Sequence, residues 1–89
     1  MKSRRAKGFR ETYAGLPESV RLHALRAYTL FAVDPFHPGL EFKLINARDG
    51  VWSVRIGDNY RALAWRQGEN LVWFWIGTHA EYDQRLRRR

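Results

Sequence analysis

Residues 51–76 read VWSVRIGDNYRALAWRQGENLVWFWI, and this stretch decides the fold. Its first part alternates: Trp52, Val54 and Ile56 fall on one face of an extended chain, Ser53 and Arg55 on the other. Asp58-Asn59 then reads as a two-residue hairpin turn, because both residue types tolerate positive φ. A return strand follows over residues 60–66, and Gln67-Gly-Glu-Asn70 is the next turn. Residues 71–76 are apolar throughout, as in a central strand covered on both faces. In the simple register Ile56 lies opposite Arg61. Arg55 and Arg61 then point to opposite faces, and only a bulge or an odd-length loop would bring them to one site. The same register pairs Trp52 with Trp65 and puts Trp73 and Trp75 on a common face. All four tryptophans read as core.

Upstream, a short strand is expected over 42–46. Before it come two helices. Ala6, Phe9 and Tyr13 mark one at roughly 6–14, closed by Gly15. Leu16, Val20, Ala24, Ala27 and Phe31 form the apolar stripe of a second, which must stop before Asp34-Pro35. Leu22 and Leu25 fall among its polar residues, either as ordinary exposed leucines or as ground for a partner. After the sheet, Thr78 can cap a short helix over 79–87. Helices grouped, then strands grouped, define an α+β fold: a helical hairpin packed on a small antiparallel sheet.

The chain has 89 residues, a length that suits one domain with basic tails at about 1–7 and 84–89. Hydrophobic residues make up 45%, enough for a packed core. Cysteine is absent, which excludes disulfides and thiolate metal sites. No apolar run approaches the roughly 20 residues of a membrane span. The charged start has no apolar stretch after it, so a signal peptide is not expected and the cytoplasm is the default location. Sixteen Lys and Arg against nine Asp and Glu leave +7, which suits a polyanion or an acidic protein partner. Part of that charge serves solubility, but Arg also stands inside apolar strands. The three histidines lack ligand spacing, and no phosphate loop or dinucleotide fingerprint is present; no metal, cofactor or small-molecule ligand is expected.

Phe9, Leu16-Pro17, Leu40-Glu-Phe-Lys43, Trp52-Ser-Val-Arg55-Ile56, Tyr60-Arg61-Ala-Leu63 and Trp73-Phe-Trp-Ile-Gly77-Thr-His79-Ala-Glu-Tyr82-Asp83 together resemble the RelE/ParE superfamily of bacterial toxins. The resemblance runs from residue 9 nearly to the end. It implies the toxin half of a toxin–antitoxin pair, neutralised by a cognate antitoxin that wraps its surface. One branch of the superfamily cleaves mRNA on the ribosome; another poisons DNA gyrase without nuclease chemistry. Most members begin with a β-strand. Here Lys2-Ser-Arg-Arg5 shows no apolar alternation, so that strand is expected to be absent or reduced.

Metal-independent RNA cleavage needs a base for the 2′ proton, cations for the phosphate and an acid for the leaving 5′ oxygen. Arg suits the phosphate through its planar fork, His either proton role, and Tyr a proton or a stacked base. By resemblance, His79 is the candidate acid or base, Tyr82 the acid or stacking platform, and Arg61 the residue facing substrate. Arg55 is the other candidate arginine of the catalytic site, and Lys43, Arg55 and Arg61 are the candidates for binding RNA. Each could equally be structural: a helix-start histidine, a core aromatic, surface cations. Glu41 and Glu81 are possible bases but read as surface charges, Glu41 being the better of the two by the family's placement of Glu in the first sheet strand. His37, between Pro35 and Pro38, is expected to fix its turn, and His23 to lie buried or half-buried on its helix. A ribosome-dependent mRNA endoribonuclease that inhibits translation is the expected function; a gyrase-directed binding-only toxin and a non-toxic nucleic-acid-binding relative are the alternatives.

Overall fold

The structure is a computed structural model and describes residues 1–87; Arg88 and Arg89 of the basic tail lie outside the described residues. The chain runs β1 (Lys2–Arg5), α1 (Lys7–Ala14), α2 (Glu18–Val33), a 3₁₀ turn (Pro38–Leu40), β2 (Lys43–Asn46), β3 (Val51–Ile56), β4 (Tyr60–Gln67), β5 (Asn70–Thr78) and α3 (His79–Arg87). The strands form one sheet in the order β1-β5-β4-β3-β2. The α+β class and the helical hairpin therefore stand. Two expectations do not.

The first concerns Lys2–Arg5. These residues form a four-residue edge strand, parallel to β5, with Lys2 beside Asn70 and Arg5 beside Trp73, so the strand is present though short. The sheet is mixed and has five strands. The strand lacks apolar alternation because it lies at the edge, where its side chains stay mostly exposed. Its backbone is what binds: the Lys2 amide donates to the Glu69 carbonyl at 2.7 Å, and the Ala6 amide to the Trp73 carbonyl at 2.8 Å. With β1 in place, β5 is interior, as its apolar run predicts.

The second concerns register. Ile56 pairs with Tyr60, and Arg55 with Arg61. The β3–β4 loop is therefore the three residues Gly57-Asp58-Asn59, with Gly57 at φ +59°. A Cβ on Gly57 would also meet His23 Nδ1 at 2.8 Å. His23 is thus exposed on α2 and borders this loop, contrary to the half-buried place expected of it. The shifted register puts Trp52 opposite Ala64 and Trp65 opposite Val51, so the two tryptophans lie on different faces. Trp65 is half-exposed and stacks on Phe74 at 4.1 Å, so it is not a core residue. A bulge in β5 separates Trp73 from Trp75 as well: Leu63 pairs with Trp75 but Ala64 with Trp73. Trp73 consequently joins the core under the helical hairpin and Trp75 the core under α3.

The larger core lies between the hairpin and the sheet. Phe31 of α2 sets its ring edge-on to Phe42 at 4.9 Å and to Trp73 at 5.6 Å, and Phe9 of α1, Ala24, Val54, Ile56 and Ala62 fill the layer. Each such buried large side chain contributes about 1.5–3 kcal/mol. Leu22 and Leu25 of α2 are exposed. On the opposite face α3 covers a smaller cluster of Val51, Leu63, Trp75 and Tyr82. That face holds the candidate site. Among the described residues no helix is long and apolar enough to cross a membrane.

Candidate functional site on the outer face of the sheet

The three-residue loop decides the site. Because Arg55 and Arg61 are direct cross-strand partners, both project to the face under α3. Lys43 pairs with Ser53 on the neighbouring strand and shares that face. Tyr82 reaches it from α3, buried against Leu63 and Trp75.

Arg61 lies at the centre, 3% exposed. Its Nε donates to Ser53 Oγ at 2.8 Å, one Nη to Glu41 Oε1 at 3.4 Å, and the other to the Glu41 carbonyl at 3.3 Å. The guanidinium carbon stands 5.2 Å from the Tyr82 ring centre, a cation–π distance. Arg55 is the more open of the pair. It donates to the Gly57 carbonyl at 2.9 Å, to Glu41 Oε2 at 3.3 Å and to Asp58 at 2.7 Å. One carboxylate, Glu41, therefore bridges both arginines, one oxygen to each. The Arg61 hydrogen bond, with the charges of Arg61, Arg55 and Lys43 behind it, holds the Glu41 carboxyl below its ordinary value against a partial desolvation.

His79 opens α3 at the rim of the site. Its ring centre is 5.7 Å from that of Tyr82, and its Nε2 stands 3.8 Å from the Asp83 carboxylate. Its backbone N–H donates to the Asn59 carbonyl at 2.7 Å, so the loop that aligns the arginines also fixes the start of α3. A capping box completes that start. The Glu81 amide donates to Thr78 Oγ1 at 3.1 Å, while Glu81 Oε1 accepts from the Thr78 amide at 2.8 Å and its hydroxyl at 3.0 Å. Those bonds, the backbone one first, hold the Glu81 carboxyl below its ordinary value. Glu81 is thus a capping residue, and its carboxylate is committed to Thr78. His37 is structural too: its Nδ1 accepts from the Gly39 amide at 3.0 Å, fixing the turn.

The structure thus brings together Lys43, Arg55, Arg61 and Tyr82, with His79 beside Tyr82. It adds two residues that the sequence reading did not weigh as it should. Ser53, fully buried, orients Arg61; its only signal is a small hydroxyl in line with Arg55. Glu41 is no bystander charge; its hold on both arginines follows from a register that the chain does not announce. Chemically, the face offers a paired guanidinium seat for an anion, a phenol and an imidazole at its edge. Among the described residues no group of three His, Cys, Asp or Glu is placed to hold a metal ion.

The architecture is that of toxins from toxin–antitoxin pairs. It is similar to the RelB–RelE antitoxin–toxin complex of Methanococcus jannaschii (TM-score 0.70, 18% identity, covering 90% of this chain and 95% of that one). It is similar also to a copper-bound mutant toxin from Helicobacter pylori (TM-score 0.62, 17% identity, 91% and 97%). A third is the RelBE2 toxin–antitoxin complex of Mycobacterium tuberculosis (TM-score 0.57, 25% identity, 89% and 91%). No curated protein sequence matches the chain. Residues 18–84 match the ParE-like toxin domain, and the chain belongs to that family, within the RelE/ParE superfamily.

Proposed function

We propose that the protein is the toxin of a toxin–antitoxin pair and that it cleaves mRNA on the ribosome. The observation that carries this is the common face of Arg55 and Arg61, closed over by Tyr82 with His79 at its rim. In this reading the arginines hold the scissile phosphate. His79 or a partner group takes the 2′-hydroxyl proton, the 2′ oxygen attacks phosphorus, and the bond from phosphorus to the 5′ oxygen breaks. Tyr82 or His79 returns a proton to that oxygen. The products are a 2′,3′-cyclic phosphate and a 5′-hydroxyl end. Lys43 adds a cation for the RNA backbone at the open side of the sheet.

The partner implied is a cognate antitoxin. The two neighbours solved as complexes are each a toxin with its antitoxin. The +7 charge, with exposed Leu22, Leu25 and Tyr28 along α2, suits an acidic, amphipathic segment.

Expression in bacteria of the wild-type chain and of His79→Ala/Tyr82→Ala, reading growth and mRNA ends together, tests the function. Arrest with codon-positioned cuts, lost in the double variant, is the expected result. A second reading, a binding-only toxin directed at gyrase, draws on the commitment of every Arg61 nitrogen to partners within the chain. It predicts arrest with intact mRNA and inhibited DNA supercoiling. No arrest from soluble protein would favour a non-toxic relative.

A further inference from the structure

Glu41 occupies an unusual position on two independent counts. Its backbone is left-handed, φ 45° and ψ 45°, and it is the only non-glycine residue of positive φ among the described residues. Such a conformation costs a non-glycine residue of order 1 kcal/mol and persists where the surroundings enforce it. Its side chain spans two arginines from different strands, with Oε2 at 3.3 Å from Arg55 and Oε1 at 3.4 Å from Arg61. Two oxygens of one anion, each facing a separate guanidinium, is also how a phosphate bridges an arginine pair. The carboxylate is half-exposed, as is Arg55, so the Arg55 end of the seat is open to solvent. Both contacts are longer than the roughly 2.7–2.9 Å of a tight charge-assisted bond.

We infer that Glu41 is a built-in competitor at the Arg55–Arg61 pair, a carboxylate that a phosphodiester of the nucleic-acid substrate displaces. Assigning the phosphate to a nucleic-acid backbone rests on the nuclease reading; the seat itself does not. The residue supplies a threshold: a ligand must offer more negative charge, or more contacts, than one carboxylate already in place. Free monoanions fail that comparison and a phosphate within a longer, positioned strand passes it. The left-handed backbone serves the same end, since it sets the carboxylate between the strands while Arg61 also binds the Glu41 carbonyl.

The test is calorimetric titration of the full chain with inorganic phosphate, and with a short DNA oligonucleotide that has no 2′-hydroxyl and so cannot be cleaved by this route. Glu41→Gln should bind both at least about tenfold more tightly than wild type, the scale of one charge contact near a surface. Glu41→Gly, which also relieves the left-handed backbone, should do the same and guards against misfolding of the first variant. Adding Arg55→Gln to Glu41→Gln should abolish the gain. Asp58→Asn removes a carboxylate from Arg55 without touching the bridge and should change affinity little. Equal gains in Asp58→Asn and Glu41→Gln, or no gain in either Glu41 variant, would overturn the competitor role. A gain for inorganic phosphate alone would overturn the backbone assignment. Because neither probe is turned over, these outcomes are independent of whether mRNA is cut in cells.

Discussion

At the scale of single residues, the outer face is governed by two carboxylates with opposite duties. Glu81 stabilises α3 through Thr78, so Thr78→Ala should cost about 1 kcal/mol in urea denaturation and loosen the helix that carries His79 and Tyr82. Glu41 restrains the arginines. Both carboxyls titrate below their ordinary range. A depressed folded-state value means that the ionised form is favoured by folding. Their contribution is complete above the unfolded carboxylate range and disappears as pH falls through the lowered values. Acid titration of the urea midpoint should therefore show stability falling below the ordinary carboxylate range. The Glu41→Gln/Glu81→Gln double variant should show a flatter acid limb; an identical limb would place the acid sensitivity elsewhere.

At the scale of elements, the β3–β4 loop is the decisive one. Gly57 has φ +59°, and a Cβ there would push the exposed His23 side chain aside. Gly57→Ala should destabilise the chain by about 1–2 kcal/mol, and more if the loop shortens and turns Arg55 away from Arg61. Thermal denaturation alongside phosphate titration separates the two effects. The loop also shows where the sequence ceased to be legible. Both helices, all four later strands and the cap on α3 could be read from periodicity and turn residues, since these are local. Asp58-Asn59 looked like a complete turn, and only the left-handed glycine before it makes the loop odd. One residue of difference reverses the face of every side chain on the return strand. Trp75 went astray for the same reason, through a bulge. β1 escaped because its reason to be a strand lies in the unpaired edge of β5, far along the chain. Removing residues 2–5 should expose that edge, lower the melting temperature and promote aggregation visible by light scattering.

At the scale of the whole molecule, charge and topology set the behaviour. If Lys43, Arg55 and Arg61 each meet a phosphate, RNA affinity should fall with salt at a log–log slope of about −2. Exchanging Lys43 for Met should reduce that slope by roughly 0.7, whatever the RNA sequence. The parallel pairing of β1 with β5 has a consequence in time. Lys2 is made several seconds before its partner Asn70, at about 5–20 residues per second. Until then β5, the strand on which α1 packs, is missing, and Tyr82 has not been synthesised. The sheet and its two cores close only when β5 and α3, which follow the other elements in the chain, are in place.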